Sequence, residues 1–488
     1  MGLQLELGND EVYYTIYGDQ LQWSYFDHPI LIGLVAWIGK FLDVVPAEMQ
    51  YRLLPLIFGT LTSLVARKIV LTITNDESIA NLALLAFSAS FYVQVVSGLF
   101  LMPDAPFLFF WISAIAIGIK LVVTDNNYIQ HHLLFGLLVG LSTLSKYYGI
   151  FLWGGFFGYQ LLFDRKKFLD WRSALGPLVT LIVITPILIW NYHNNWVSFA
   201  FHSGRGMGNS FDFNLNFLLQ EVFGSFIYNN PINSTLIILT LWVIPLRKMS
   251  KINAYLLLSG GILILFFISN SLTVRTLPHW SGAGYSTILI LAVANLHNFK
   301  LAKSLIVTSF VFFCVAALLS TFVINQGFLL PTNATQKPES IGKDDFTLDM
   351  FGWKQINHKL VVSRNRYVEQ GWIKETSPLA ITHWFPGAHL YHYCGRESDL
   401  RIWAVGDTSN LHQFKWMTRF NASPDQDQSA LYFTTTRPFR SPEPALIKKF
   451  DSVQRIDSFP ILRDNGLIAG YGFIYLLNGY NQIEADRP

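Results

Sequence analysis

The sequence is poor in charged residues and in cysteine. Only 14% of its 488 residues are charged, whereas 51% are hydrophobic. Soluble domains average about 25% charged residues, so the composition predicts an integral membrane protein. The two cysteines, Cys314 and Cys394, provide neither a disulfide framework nor a metal-binding pattern. The net charge of +3 gives no basis for a nucleic-acid partner.

The first residues also lack the basic and apolar regions of a signal peptide. The charges that are present are unevenly distributed. Residues 1–329 hold 17 Lys and Arg with 15 Asp and Glu, whereas the much shorter stretch 330–488 holds 18 and 17. This contrast predicts a membrane domain followed by a water-soluble domain.

Ten apolar segments have about the length of a membrane-spanning helix. They lie near residues 51–70, 78–97, 105–122, 131–145, 147–163, 173–192, 232–246, 254–270, 281–296 and 303–324. Of the 17 basic residues, 12 fall in alternate connections, which predicts that those connections are cytoplasmic. Residues 1–50 and the C-terminal domain are then extracytoplasmic, in a plasma or inner membrane. The short apolar run 30–42 is interpreted as a helix in the outer interface, the alternative being an eleventh span.

The predicted fold class is mainly α, a polytopic transmembrane helical bundle with a C-terminal extracytoplasmic α+β domain. The domains are an outer loop with an interfacial helix (1–50), the transmembrane domain (51–329) and the soluble domain (330–488). Smaller features complete the prediction. They are a polar, glycine-rich loop at 193–231, a linker at 331–345, a helix at 350–370 and strands at 379–382, 431–435 and 471–476.

Two motifs near the N-terminus place ionisable side chains next to apolar segments, where charge is usually kept for function. Asp10 and Glu11 are either acids at a helix N-terminus or a general base that takes a proton from an acceptor hydroxyl. Asp27 and His28, followed by Pro29, are either a helix start or a phosphate contact, with a protonated His28 donating to an anionic headgroup.

Further candidates lie at the outer ends of later spans. Asp104 is either a helix cap or a functional acid, and Lys146 either reaches the interface or binds an anion. Arg275 and His279, next to Trp280, are either an interfacial anchor or further phosphate ligands. The remaining polar residues of the 193–231 loop, His193, His202 and Arg205 among them, lack the spacing of a metal site.

Six short motifs follow one another in a characteristic order. They are Asp10-Glu11 followed by Tyr13-Tyr14, Tyr25-Phe26-Asp27-His28-Pro29, Arg52-Leu53-Leu54-Pro55, Asp104-Ala105-Pro106, Leu144-Ser145-Lys146 and Leu277 to Trp280. With this topology the chain resembles the polytopic GT-C glycosyltransferases of the protein O-mannosyltransferase and lipid A aminoarabinose or galacturonic acid transferase type. The resemblance covers about residues 5–300.

The resemblance implies an inverting transfer of a sugar from a polyprenyl-phosphate donor in the bilayer to a glycolipid, glycan or protein acceptor. It implies that Asp10 is the base, with Glu11 beside it, and that His28 contacts the carrier phosphate. Asp104 matches a second outer acid near the sugar, while Lys146 and Arg275 are placed like cations that reach the phosphate. Asp27 matches a residue that joins a metal site in some relatives. No histidine partner is evident, so the site is predicted to need neither metal nor other cofactor.

The sequence departs from the family pattern in two places. It has Pro29-Ile30 where the family usually has Pro-Pro, and only eight residues precede Asn9, where relatives have a membrane span. The sequence is therefore interpreted as a truncated or mis-started form. Two other functions stay open: a transporter or flippase for lipid-linked sugars, and a non-catalytic assembly or sensor protein. Transporters place charges at mid-membrane and carry inverted repeats, whereas these charges cluster at the outer ends of spans.

Overall fold

The computed structural model describes residues 2–124, 128–206, 212–244, 249–295, 301–327 and 337–481. The chain forms two compact units. The helical unit consists of Leu21–Ala316, and the sheet unit consists of Met1–Gln20 together with Ala317–Pro488.

The first fifteen helices occupy most of the chain up to the sheet. They are α1 (Asn9–Tyr17), α2 (Ile30–Gly39), α3 (Ala47–Thr74), α4 (Glu77–Ser88), α5 (Asp104–Val123), α6 (Ile129–Ser145), α7 (Phe151–Phe163), α8 (Arg165–Phe168), α9 (Leu175–His193), α10 (Val197–Gly206), α11 (Leu215–Tyr228), α12 (Pro231–Val243), α13 (Lys251–Asn270), α14 (Gly282–Ala294) and α15 (Ala302–Gln326). A π-helical turn, Tyr92–Val96, follows α4, and a 3-10 turn, Tyr147–Ile150, precedes α7.

Each of the ten segments predicted as spans contains a helix, although the segment 78–97 is interrupted at Ala89 and Ser90, and residues 245–246 and 296 lie outside the described residues. Among the described residues, five segments are long and apolar enough to cross a membrane: α3, α5, the stretch Trp171–His193 that includes α9, α13 and α15. The predicted helix within 30–42 is confirmed as α2. The fold is therefore that of a polytopic membrane protein, as the composition indicates.

Glycines allow the helices of the helical unit to approach one another closely. A Cβ added to Gly260 on α13 would lie 2.6 Å from the carbonyl oxygen of Gly284 on α14. On α6, a Cβ at Gly136 would lie 2.2 Å from the carbonyl oxygen of Gly176 on α9, and Thr180 donates to the Gly136 carbonyl at 2.7 Å. Small residues at such contacts let membrane helices pack in the absence of a hydrophobic driving force.

The prediction of a loop over 193–231 is wrong for most of that segment. The structure has α10 and α11 there, and Asn214 caps α11 by accepting from the backbone N–H groups of Asn216 and Phe217. The glycines and charges of this stretch obscured the apolar periodicity of α11. Residues 207–211 and the side chain of Arg205 lie outside the described residues.

The sheet unit contains a five-stranded mixed sheet. Its strands are β1 (Leu379–Ile381), β2 (Ile402–Ala404), β3 (Ala430–Thr435), β4 (Phe450–Leu462) and β5 (Ile468–Tyr480), in the spatial order β2-β1-β3-β5-β4. β1 pairs in parallel with β2 and β3, whereas β5 is antiparallel to β3 and β4. The three predicted strands are confirmed, while β2 and β4 were not predicted. β4 is an edge strand with largely exposed residues, so it lacks a clear apolar pattern.

Four further helices belong to this unit: α16 (Trp353–Glu369), α17 (Trp384–His389), α18 (Thr408–Leu411) and α19 (Pro444–Ile447), with a π-helical segment, Leu390–Arg396, after α17. The helix predicted over 350–370 is confirmed as α16. Of the predicted linker, residues 331–336 lie outside the described residues, and a 3-10 turn occupies Pro338–Ser340.

Candidate functional site

A buried ion pair forms the centre of the candidate site in the helical unit. The Lys146 ammonium lies 2.9 Å from each carboxylate oxygen of Asp104, and the exposed fractions of the two side chains are 4% and 1%. Tyr92 donates its hydroxyl proton to the same carboxylate at 3.0 Å. The aromatic rings of Phe107 and Tyr148 lie within 6 Å of the ammonium. Two predicted site residues are thus brought into direct contact.

Helix ends position both members of this pair. Asp104 is the first residue of α5, and Lys146 follows the last residue of α6 in an extended conformation with φ −153°. α5 and α6 pack against each other, and Ser142 on α6 donates to the Phe107 carbonyl on α5 at 3.3 Å. The start of α5 and the end of α6 therefore lie side by side.

His279 lies close enough to the ion pair for its titration to depend on both members. Burial and, to a smaller extent, the charge of Lys146 lower the pKa of His279 to about 4, against the opposing effect of Asp104. The imidazole is therefore neutral at physiological pH and can donate one N–H. The rings of Tyr228 on α11 and Trp280 flank it at 5.9 and 6.4 Å.

The motif that holds Asp27 and His28 forms a tight turn before α2. The backbone N–H of Tyr25 donates to the His28 carbonyl at 2.9 Å, and Asp27 is buried. Two residues of α10 fix the turn from the side. Ser198 donates to the Tyr25 carbonyl at 2.9 Å, and His202 Nε2 lies 2.8 Å from the Asp27 carbonyl oxygen.

Tyr147 links this turn to the ion pair, because it follows Lys146 directly in the chain. Its hydroxyl lies 3.5 Å from Ser24 Oγ at the start of the turn. Its ring centroid lies 5.0 Å from that of His202, which in turn is 6.3 Å from the His28 ring. The helical unit therefore brings the Asp27–His28 turn and Lys146 to one region.

Arg275 is placed differently from the other predicted cations. It lies on the loop between α13 and α14, with an exposed side chain, next to the buried Thr276. Its predicted role as a phosphate ligand stays a prediction. In the described ranges no three His, Cys, Asp or Glu side chains are grouped as metal ligands would be. The prediction of a metal-independent site is not tested by that observation.

The predicted acidic pair belongs to the sheet unit. Asp10 and Glu11 lie in the first turn of α1, as the helix alternative proposes. Glu11 is buried and its carboxylate accepts from the backbone N–H of Gly8 at 2.9 Å, which closes the turn with one of the two bonds of a capping box. Asp10 is exposed. The two neighbouring acids therefore have different surroundings, and only Asp10 presents its carboxylate to solvent.

The sheet unit holds α1 through polar contacts that the sequence did not predict. Asn9 accepts from His389 Nε2 at 2.9 Å, and the backbone N–H of Gln413 donates to the Tyr13 hydroxyl at 3.1 Å. Beyond the end of α1, Asp19 is paired with Arg396. These partners are nearly 400 residues apart in the chain, so no local pattern indicates them.

Glu221 in the helical unit was also missed. It is 1% exposed on α11 and accepts hydrogen bonds from Thr276 at 2.7 Å, Ser281 at 3.0 Å and Ser225 at 3.2 Å. The available signal was a single acid within the apolar stretch Leu215–Tyr228. A charge in such a stretch is a candidate functional residue.

Comparisons with known proteins give a family match over part of the chain and a match in fold. Residues 27–190 match the family model described as dolichyl-phosphate-mannose-protein mannosyltransferase. A search of curated proteins finds no match. Crystal structures of ArnT from Cupriavidus metallidurans are similar in fold. The form bound to undecaprenyl phosphate is 14% identical with a TM-score of 0.61, covering 97% of this chain and 95% of that chain. The apo form is 14% identical with a TM-score of 0.57, covering 97% and 93%.

The family match covers only part of the candidate site. Asp27, His28, Asp104 and Lys146 fall within the matched residues 27–190, whereas Asp10 and Arg275 do not. The structural likeness covers almost the whole chain and, at 14% identity, establishes the fold. Together they show that the chain is an integral membrane glycosyltransferase with the GT-C fold, similar to protein mannosyltransferases.

Proposed function

We propose that the enzyme transfers a sugar, with inversion, from a polyprenyl-phosphate donor to an acceptor outside the cytoplasm. The matched family is described by its dolichyl-phosphate-mannose donor, and ArnT was crystallised with undecaprenyl phosphate. Both are long isoprenoid chains that end in a phosphate. A glycolipid, a polysaccharide and a protein all offer a suitable acceptor group.

The buried Asp104–Lys146 pair carries this proposal. An ammonium group has three N–H donors, and the two Asp104 oxygens engage two of them. The third is left for a further acceptor, such as a phosphate oxygen. Because the pair is buried, a charge–charge contact there is far stronger than in water. A lysine held in this way can stabilise the negative charge that develops on a departing phosphate.

The other candidate residues take complementary roles in the proposed site. His28, on the turn next to Tyr147, donates to the same phosphate, and the buried Asp27 holds the shape of that turn. Asp104 orients the Lys146 ammonium through both of its carboxylate oxygens. Arg275, exposed on its loop, attracts the anionic headgroup.

Asp10 is the proposed base. Its carboxylate, on an exposed residue, takes the proton of an acceptor hydroxyl as the hydroxyl oxygen attacks the anomeric carbon. The bond from that carbon to the phosphate oxygen breaks, and the polyprenyl phosphate leaves with the electron pair. Glu11, whose carboxylate closes the first turn of α1, has a structural role beside it.

Lipid binding tests the proposed donor. The full chain in lipid nanodiscs is titrated with undecaprenyl phosphate and, separately, with undecaprenol, and the melting temperature is measured. We expect the phosphate lipid to raise the melting temperature and undecaprenol to leave it unchanged. The double variant Asp104→Asn/Lys146→Met is expected to lose the response.

The matched control is Arg67→Gln, which removes a cation from the exposed pair Arg67–Glu77 on the same unit. It is expected to respond to the phosphate lipid as the wild type does. An equal response of the wild type to undecaprenol and undecaprenyl phosphate would show that the phosphate is not recognised and would overturn the proposed donor.

A further inference from the structure

We propose that Glu221 is a positioning residue that fixes the loop between α13 and α14, and through it the arrangement of His279 and Tyr92 around the Asp104–Lys146 pair. The proposal rests on the proposed function for its effect on the donor. Among the described residues, the hydrogen bonds of Glu221 go to Thr276, Ser281 and Ser225 and to none of the proposed phosphate ligands, so we infer that it acts through the loop.

Glu221 holds the loop at two points. Its Oε2 accepts from Thr276 at 2.7 Å, near the start of the buried part of the loop. Its Oε1 accepts from Ser281 at 3.0 Å, at the end of the loop. Both hydroxyl-bearing residues are buried, with exposed fractions of 3% and 0%. One carboxylate thereby fixes both sides of the segment that carries His279.

Ser225, one turn further along α11, strengthens this contact. Its hydroxyl lies 3.1 Å from Ser281 Oγ and 3.1 Å from the Pro278 carbonyl oxygen. Gly224 allows the close approach, since an added Cβ would lie 2.2 Å from the Pro278 ring. α11 therefore contacts the loop through the carboxylate of Glu221, the hydroxyl of Ser225 and the backbone of Gly224.

Two residues, His279 and Gly282, connect the loop to the Asp104–Lys146 pair. His279 lies between the fixed residues Thr276 and Ser281, and its pKa depends on both Lys146 and Asp104. Gly282, directly after Ser281, packs on the Tyr92 ring, where an added Cβ would lie 2.5 Å from the ring carbons. Tyr92 in turn donates to Asp104. A shift of the loop would displace the imidazole and the tyrosine together.

Two substitutions separate geometry from charge. Glu221→Ala removes both acceptor atoms and leaves the buried hydroxyls of Thr276 and Ser281 without this partner. Glu221→Gln keeps two polar atoms in place, and hydroxyl groups can rotate to accept as well as donate. Asn233→Ala on α12 is the control for general loss of stability. Asn233 is buried and bonds to the Ala86 carbonyl and Ser309, away from the loop.

The experiment uses the full chain in nanodiscs and two readouts. The first follows the loop itself, by hydrogen exchange over residues 271–281 and by the rate at which diethyl pyrocarbonate modifies His279. The second is the dissociation constant for undecaprenyl phosphate. We expect Glu221→Ala to increase exchange and His279 modification and to weaken lipid binding about tenfold. Glu221→Gln is expected to stay near the wild type, and Asn233→Ala to leave both readouts unchanged.

The outcomes distinguish this proposal from the proposed function. Unchanged loop exchange in Glu221→Ala would overturn the positioning role, whatever the lipid does. Increased exchange with unchanged lipid binding would overturn it as well, because the loop would then not matter to the donor site. If the wild type does not bind undecaprenyl phosphate while the loop readouts change as expected, the proposed function fails and the fixing of the loop by Glu221 is supported.

Discussion

Each unit of the protein contains a carboxylate paired with a cation, and the two pairs use their donors differently. In the helical unit, Asp104 binds the ammonium of Lys146 with both oxygens. In the sheet unit, Asp19 binds Arg396 and also accepts from the Tyr391 hydroxyl at 2.8 Å. Arg396 donates in addition to the Thr15 carbonyl of α1 at 2.8 Å.

The two pairs differ in how many N–H donors of the cation remain for a further acceptor. The guanidinium of Arg396 forms hydrogen bonds with Asp19, the Thr15 carbonyl and His392 Nδ1. It therefore connects α1 to the π-helical segment. Lys146 keeps a donor for a further acceptor. Arginine, with five donors in a rigid fork, suits the structural pair, and lysine, a compact point charge, suits the pair that we propose binds the donor phosphate. Four predictions test this contrast, from the largest expected effect on stability to the smallest.

Breaking the Asp104–Lys146 pair should have the largest effect. Lys146→Met leaves the Asp104 carboxylate buried without its cation, which typically costs about 3–5 kcal/mol of unfolding free energy. Adding Asp104→Asn should recover most of that loss, because the buried charge disappears as well. Thermal unfolding of the wild type, the single variant and the double variant in nanodiscs measures this. A double variant no more stable than the single one would contradict the interpretation.

Acidification should weaken the sheet unit around α1. Burial lowers the pKa of both His389 and His392 well below the ordinary value. The neighbouring His392 lowers the pKa of His389 further, and the charge of Arg396 lowers that of His392. Asp19 opposes the shift at His392, and Lys354 adds to it. An unfolded histidine takes up a proton near pH 6.5, whereas these two do not in the folded state, so stability is lost as the pH falls below about 6.5.

At pH 5.5 the loss should be about 1.4 kcal/mol for each histidine. The loss of stability is measured by hydrogen exchange over residues 9–17 at pH 7.5 and 5.5, corrected for the intrinsic exchange rate. This segment reports on both histidines, because Asn9 bonds to His389 and Thr15 Oγ1 lies 3.3 Å from His392 Nδ1. The variant His389→Gln should reduce the pH dependence. Identical protection at both pH values would show that neither histidine changes protonation on unfolding.

Asp19→Asn should have a smaller effect. It removes the charge that Arg396 and Tyr391 bind, a loss of about 2 kcal/mol, since Arg396 is partly exposed and water can replace the lost partner. We expect faster exchange over α1 and an unchanged dissociation constant for undecaprenyl phosphate. Weakened lipid binding in this variant would show that the two pairs do not have separate functions.

The contrast between these pairs also shows what the sequence can reveal. The ten helical segments followed from apolar runs, because a spanning helix must satisfy its backbone groups internally and bury its side chains in lipid. Asp104 and Lys146 stood out because charge next to such runs is costly. Their pairing with each other was not predictable, since it depends on how α5 and α6 pack.

Side chains whose partners lie far along the chain were missed altogether. Asp19 and Arg396 are 377 residues apart, and neither lies in a motif. Glu221 was visible as a lone acid, but its partners Thr276 and Ser281 are ordinary loop residues. The strand β4 was missed because one of its faces is polar and exposed, so it lacks the apolar pattern on which the other strand predictions rested.

Asp10→Asn should have the smallest effect on stability and a large one on catalysis. The exposed carboxylate in the first turn of α1 interacts with the helix dipole, worth less than about 1 kcal/mol. As the proposed base, however, it contributes the proton transfer, typically a factor of about 10²–10⁴ in rate. Transfer from a labelled polyprenyl-phosphate sugar measures the effect, with Glu11→Gln as the neighbouring control. That control should lose stability, because Glu11 caps the turn, and should keep turnover in the folded fraction. If instead Asp10→Asn turns over like the wild type, Asp10 is not the base.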